Sequence, residues 1–222
     1  MQIKSIGSTY DSLLRLLQPP SQELTAQYSK LFESTMSLVD LGCGAGNHLF
    51  GVRCPEGSHW IGIDTHQGSL AKALERHVYD EVILSDVMAW LNECADSSID
   101  TLLASCVIEH LPAEVGARLL TEMKRVCRTR AIVFTPNGFV PQPPDIDNPA
   151  NEHISGWTTR DLKERGFEVF CGLYGLKWLR GSFGLPRLRP QMFGDFIAKS
   201  TSRIGWRIPS LAYQIVCIYE KT

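Results

Sequence analysis

From Ser37 onward, short apolar runs alternate with helical stretches: SLVDLG, WIGID, EVILSD, DTLLASCV and RAIVFTPN. Runs that are apolar throughout belong to strands covered on both faces, and strands separated by helices build parallel β-α units. The pattern predicts an α/β fold around a doubly wound, mostly parallel sheet. With 222 residues and a hydrophobic share of 44%, the chain can bury one full core and fits one domain with additions better than two domains.

The additions are visible as breaks in the alternation. Helical patterns over Ser8–Gln18 and Ser21–Glu33, separated by Pro19-Pro20, predict an N-terminal lid or flank over residues 1–36, ahead of a main domain over 37–222. Behind Pro112, the spacing of Val115, Leu119, Met123 and Val126 predicts a core helix. The proline-rich stretch 139–156 is too long and turn-rich for a plain strand or helix, and such loops are usually functional or disordered. Thr158 and Asp161 then predict a capping-box helix that stops at Gly166, followed by the strand FEVFCGLYG. LAYQIVCIYEKT is the last strand, expected to run back antiparallel.

A second addition, 175–209, holds seven cations (Lys177, Arg180, Arg187, Arg189, Lys199, Arg203, Arg207) against the single acid Asp195, together with Trp178, Phe183, Phe193, Phe196 and Trp206. Such a segment suits a cover over a site, a membrane surface or an anionic substrate, and equally a solvated basic surface over a small apolar core. The whole-chain charge of −2 gives no basic excess for a sequence-independent grip on nucleic acid. The seven cysteines are scattered and never form a C-x-x-C pair, so neither a disulfide framework nor a zinc site is expected and no metal is assigned. Without a signal-peptide h-region or a long apolar run, the chain is expected to be soluble and cytoplasmic.

The stretch VDLGCGAGN carries the most specific chemistry. Gly42, Gly44 and Gly46 follow the first strand directly, and a helix is expected from about Asn47. Glycine permits positive φ and lets a ligand lie against the backbone. A dinucleotide loop wants its third small residue at position 47, where Asn47 stands, so a pyrophosphate-bearing cofactor is disfavoured. Asp64 ends WIGID, where a carboxylate can accept both hydroxyls of a ribose. Asp86 ends EVILSD ahead of Val87 and Met88; the acid suits the exocyclic amine of an adenine, and its apolar neighbours suit the ring.

In this order and spacing, VDLGCGAG, the acid of GID, the acid of LSD, and ASCVIEHL resemble the successive motifs of class I S-adenosylmethionine-dependent methyltransferases. The likeness covers roughly residues 38–136 and extends more loosely through 137–174 toward the small-molecule branch. It implies a seven-stranded Rossmann-like methyltransferase fold with an antiparallel last strand, and S-adenosylmethionine as cofactor. By that resemblance Asp40 and the glycine loop hold the methionine end, Asp64 the ribose, and Asp86 with Val87 the adenine, while Ser105 faces the methionine moiety. Strand four ends in ASCV and lacks the N-P-P-Y or D-P-P-Y tetrapeptide associated with amino methylation of DNA, so a small-molecule acceptor, most often a hydroxyl, leads.

Methyl transfer from a sulfonium needs alignment and at most removal of one proton. The candidate bases are His110 in EHL and His153 in NEHISGW, both near the ligand-binding edge, and each also has a purely structural reading. Two other functions compete: a non-catalytic cofactor-binding or partner- or membrane-docking module, and a nicotinamide-dependent oxidoreductase, which Asn47 and Asp86 oppose. Cys43 reads as a small filler, since no histidine stands beside it to activate a thiolate.

Overall fold

The computed structural model describes residues 30–52 and 54–222. The helix expected over Ser8–Gln18, and all but the last residues of that over Ser21–Glu33, lie outside the described residues. The described elements are β1 (Ser37–Leu41), β2 (His59–Asp64), α1 (Gln67–Glu75), β3 (Glu81–Leu84), α2 (Val87–Glu93), β4 (Ile99–Ser105), α3 (Ala113–Val126), β5 (Cys127–Pro136), α4 (Thr159–Glu164), β6 (Glu168–Leu176), α5 (Gln191–Ser200), α6 (Ser202–Arg207) and β7 (Ala212–Glu220).

The strands form one seven-stranded sheet in the order β3-β2-β1-β4-β5-β7-β6. β1 pairs in parallel with β2 and β4, β2 with β3, and β4 with β5, whereas β7 inserts antiparallel between β5 and β6. The doubly wound sheet with a reversed last strand is therefore present as expected.

Why both faces are covered is legible strand by strand. Successive residues point to opposite faces, and in β1 Leu38 packs in one core layer and Val39 in the other. The same split separates Leu102 from Leu103 in β4 and Ile132 from Val133 in β5. One layer is closed by Leu119, Met123 and Val126 of α3 with Leu91 of α2 and Leu162 of α4. The opposite layer is closed by Leu70 and Ala73 of α1, with Leu31, Phe32 and Trp60. Truncating a fully buried leucine such as Leu103 to alanine is expected to cost about 2–5 kcal/mol.

Two sequence expectations are corrected. No α-helix follows the glycine loop: residues 44–51 close as turns, because Gly46 and Gly51 hold φ of 73° and 82° and leave only four residues between them for right-handed geometry. β3 ends at Leu84, two residues before Asp86, whose carboxylate serves the next helix instead. Elsewhere the local chemistry acts as read. α3 starts behind Pro112, α4 carries the Thr158–Asp161 capping box, and Gly166 follows it with φ of 86°.

Candidate active site

The sheet order reverses between β1 and β4, and open α/β sheets take ligands at such a point, beyond the carboxyl ends of the strands. Here the turn after β1 packs against the segment after β4: a Cβ on Gly42 would lie 2.6 Å from a Val107 methyl. Glycine at 42 therefore lets the two loops close on each other. Gly44 differs, since a Cβ there meets nothing within 4 Å and its φ is 53°. It leaves bare backbone facing open space.

The acids of the first two strands frame that backbone. Asp64 accepts the Gly44 N–H on Oδ2 at 2.8 Å and the His66 N–H on Oδ1 at 2.7 Å. The carboxylate thus staples the glycine turn to β2 and keeps further lone pairs for hydroxyl donors. Asp40 is 1% exposed and accepts the Tyr79 hydroxyl on Oδ2 at 2.6 Å, while its Oδ1 has no hydrogen-bond partner. Burial, with the charge of Asp64, pushes its pKa up to about 7, against the lowering effect of the Tyr79 hydrogen bond. Ser105 at the end of β4 is buried, and its Oγ is also unpartnered. An anionic phosphate would meet two carboxylates here; a cationic amine with a ribose meets complementary groups.

Asp86 stands apart from this pair. It is exposed and caps α2, its Oδ1 accepting the Met88 and Ala89 N–H groups at 2.9 Å each. Its second oxygen remains available, and Val87 beside it is buried in the core. Cys43 is buried with its thiol pKa driven upward by desolvation and by Asp40 and Asp64, so it stays protonated. Among the described residues all seven cysteines are free.

The two histidines are brought together. Their rings meet edge-on with centroids 4.8 Å apart. His110 Nδ1 lies 2.9 Å from the Glu152 carbonyl and His153 Nδ1 2.7 Å from that of Val140. A carbonyl only accepts, so each Nδ1 carries the proton and each Nε2 the lone pair. Burial lowers the pKa of both rings, keeping them neutral at physiological pH. Asp145 and Asp147, their neighbours in the connector, are exposed.

Sequence reading missed the side chains that build this corner. Glu109 is 2% exposed, accepts the Thr135 hydroxyl on Oε2 at 3.1 Å and leaves Oε1 unpartnered. Its pKa is raised by burial to about 7. The signal was an acid between apolar Ile108 and His110, overlooked beside the histidine. Trp157 and Ser155 fix the connector by donating to the Ile108 carbonyl at 3.1 and 2.9 Å, and the Glu109 carbonyl accepts the Ile154 and Ser155 N–H groups. Gly116 of α3 admits the Trp157 ring, which a Cβ would approach to 2.6 Å.

The basic segment is less free than its composition suggested. Arg180 is buried, donating to the Tyr174 and Gly184 carbonyls and to Asp195, which also binds Lys199 at 2.6 Å. Ser182 donates to the Pro141 carbonyl and the Phe183 N–H to Gln142, so this segment is tied to the connector.

Residues 39–135 match the family described as methyltransferase domain. No curated protein matches the chain by sequence. Among solved structures, a SAM dependent methyltransferase from Archaeoglobus fulgidus superposes with a TM-score of 0.57 at 16% identity, covering 98% of this chain and 100% of that one. One from Aquifex aeolicus gives 0.51 at 14% identity over 95% and 98%. TehB from Haemophilus influenzae gives 0.55 at 15% identity over 89% of this chain and 61% of its own. At these identities the structures speak for the fold, and the matched segment contains the glycine turn, the three acids, Ser105 and His110. Residues 39–135 thus match a methyltransferase domain, set in a chain whose fold is that of the SAM dependent methyltransferases it superposes on.

Proposed function

We propose that the chain methylates a hydroxyl of a small-molecule acceptor, with the cofactor over β1, β2 and β3 and the acceptor over β4 and β5. The observation that carries the reading is the unpartnered, buried Oδ1 of Asp40 beside the bare backbone of Gly44. An acceptor-only oxygen in that position asks for a donor, and the methionine ammonium supplies one. Asp64 takes the ribose hydroxyls, Asp86 and Val87 the adenine, and Ser105 Oγ the methionine moiety.

When bound, the cofactor supplies a methyl group already activated on a sulfonium. The chain's own part would be to align the acceptor oxygen with that methyl group and to take up the acceptor's proton. The acceptor's proton goes to an imidazole lone pair, His153 first and His110 as its neighbour. Both rings are neutral and hold Nε2 as acceptor, which suits proton removal at neutral pH. The connector 139–156 and the segment 175–209 cover the acceptor side, their mutual hydrogen bonds giving the cover one body.

Near-neutral charge supports a small acceptor over a polyanion, and exposed Trp178, Phe183, Leu185 and Phe193 favour an acceptor with an apolar part. Among the described residues no helix is long and apolar enough to cross a membrane. The test is turnover with a panel of hydroxylated aromatic and aliphatic acceptors, followed in His153→Ala. Lower kcat with unchanged S-adenosylhomocysteine affinity is expected; equal loss of both removes His153 from acceptor activation.

A further inference from the structure

The corner that holds His110 and His153 contains a third group. One ligand atom from each of Glu109, His110 and His153 lies within 4.8 Å of the others. The two Nδ1 atoms donate to backbone carbonyls, so the lone pairs left are on Nε2. Glu109 contributes a carboxylate oxygen, Oε1, that is almost wholly buried and has no hydrogen-bond partner of good geometry, the Cys106 thiol being the polar group beside the carboxyl. Donation of the remote ring nitrogen to a carbonyl is the usual arrangement behind a metal-ligating histidine, because it fixes the ring and its tautomer.

The surroundings hold the three donors in place. The Thr135 hydroxyl orients the second oxygen of Glu109, and Ser155 and Trp157 pin the return of the connector onto the Ile108 carbonyl. A buried carboxyl facing two imidazole lone pairs has no donor of its own to satisfy them once ionised. A cation satisfies all three together.

We infer that Glu109, His110 and His153 form a binding site for a divalent transition-metal ion. Two imidazoles and one carboxylate suit zinc, cobalt, iron or manganese better than magnesium or calcium, which prefer all-oxygen sets. Bonds of about 2.1 Å need neighbouring donors roughly 3 Å apart, within the 4.8 Å that bounds the three ligand atoms, so binding draws the donors together. Three protein ligands leave positions open on the side of His110, which is half-exposed while the other two are buried. The absence of cysteine pairs gave no hint of a metal, because these ligands include no thiolate and one lies 43 residues beyond the second along the chain.

The site stands on this geometry alone; its use rests on the methyl-transfer reading. An acceptor hydroxyl taking an open position would become more acidic and pass its proton to solvent, leaving the oxygen ready for the methyl group. With the ion bound, the two histidines are its ligands and the ion takes over activation; the His153 lone pair acts as base only in the metal-free chain.

The full chain, stripped with a chelator, is titrated with Co²⁺ and followed by visible absorption and calorimetry. One ion per chain is expected, with His110→Ala, His153→Ala and Glu109→Gln each weakening binding by more than the roughly 10- to 100-fold that loss of an outer-shell partner costs. S-adenosylhomocysteine affinity, measured in parallel, reports that each variant is folded. In the unmutated chain, Zn²⁺ is expected to move the ring-nitrogen NMR signals of two of the six histidines. No stoichiometric binding, binding indifferent to all three substitutions, or shifts confined to other histidines overturns the site. Metal binding without S-adenosylhomocysteine binding leaves the site standing and removes the methyl-transfer reading, and the reverse result does the opposite.

Discussion

The Tyr79 hydroxyl donates to Asp40 Oδ2 at 2.6 Å, holding one oxygen of a carboxyl whose other oxygen is buried without a partner. Asp40 is pushed up to about 7 mainly by burial, so near neutrality it is divided between its two forms. Only the ionised form can pair with an ammonium. Cofactor affinity is expected to fall on acidification below about pH 7, approaching tenfold per pH unit, and Asp40→Asn should abolish that slope. Calorimetric titrations between pH 5.5 and 8.5 check this; a flat profile in the unmutated chain removes Asp40 from the cofactor site.

Stability without cofactor should run the other way. Asp40 and Glu109 both have folded pKa values raised to about 7 from ordinary values of 3.8 and 4.5. Between those limits the folded chain holds protons that the unfolded chain has released. Their contribution to stability is complete below the unfolded values and is lost as pH rises through about 7. The Tm of the cofactor-free, metal-free chain is expected to drop between pH 5 and pH 8 by on the order of 5 °C or more, and Asp40→Asn with Glu109→Gln should flatten the curve. A Tm that climbs over this range, or a slope kept by the double variant, contradicts the assignment.

Asp64 has two duties, so its loss should show twice. Replacing it with alanine removes the staple on the Gly44 N–H as well as the ribose acceptor. Affinity for S-adenosylhomocysteine is expected to weaken by about 1–3 kcal/mol, accompanied by a lower Tm. Unchanged affinity would leave Asp64 as a structural residue only.

Asn137 is expected to matter for folding and not for ligand affinity. Its buried Nδ2 donates to the carbonyls of Pro209, Ser210 and Ala212 at 3.1, 2.8 and 3.1 Å, locking the entry to β7 against the end of β5. Asn137→Ala strands those carbonyls and should cost roughly 2 kcal/mol in denaturant unfolding. A loss within experimental error would show that water replaces the amide.

How much of this was legible depends on whether the information is local. Apolar runs covered on both faces, the Thr158–Asp161 cap and the stop at Gly166 announce themselves within a few residues, and each element formed where its chemistry required. The helix expected at Asn47 failed for a local reason too: Gly46 and Gly51 both took left-handed geometry, which the spacing alone did not decide. Asp40 and Asp64 could be placed at strand tips because parallel strands carry their ends to one edge, whereas Asp86 lies two residues beyond β3 and caps the next helix. The partners that define the site are distant in sequence, as with Tyr79 on Asp40 and Thr135 on Glu109, and no periodicity encodes such pairs. The meeting of His110 and His153 depends on the path of a proline-rich connector, which follows from the Trp157 and Ser155 anchors and not from its composition.

The most direct measurement is isothermal titration of the full chain with S-adenosylhomocysteine, with NADH as the comparison ligand. Saturable one-to-one binding of the thioether, weakened in Asp64→Ala and absent for NADH, is the predicted result. Binding of NADH in preference, or indifference to S-adenosylhomocysteine at every pH tested, would contradict it.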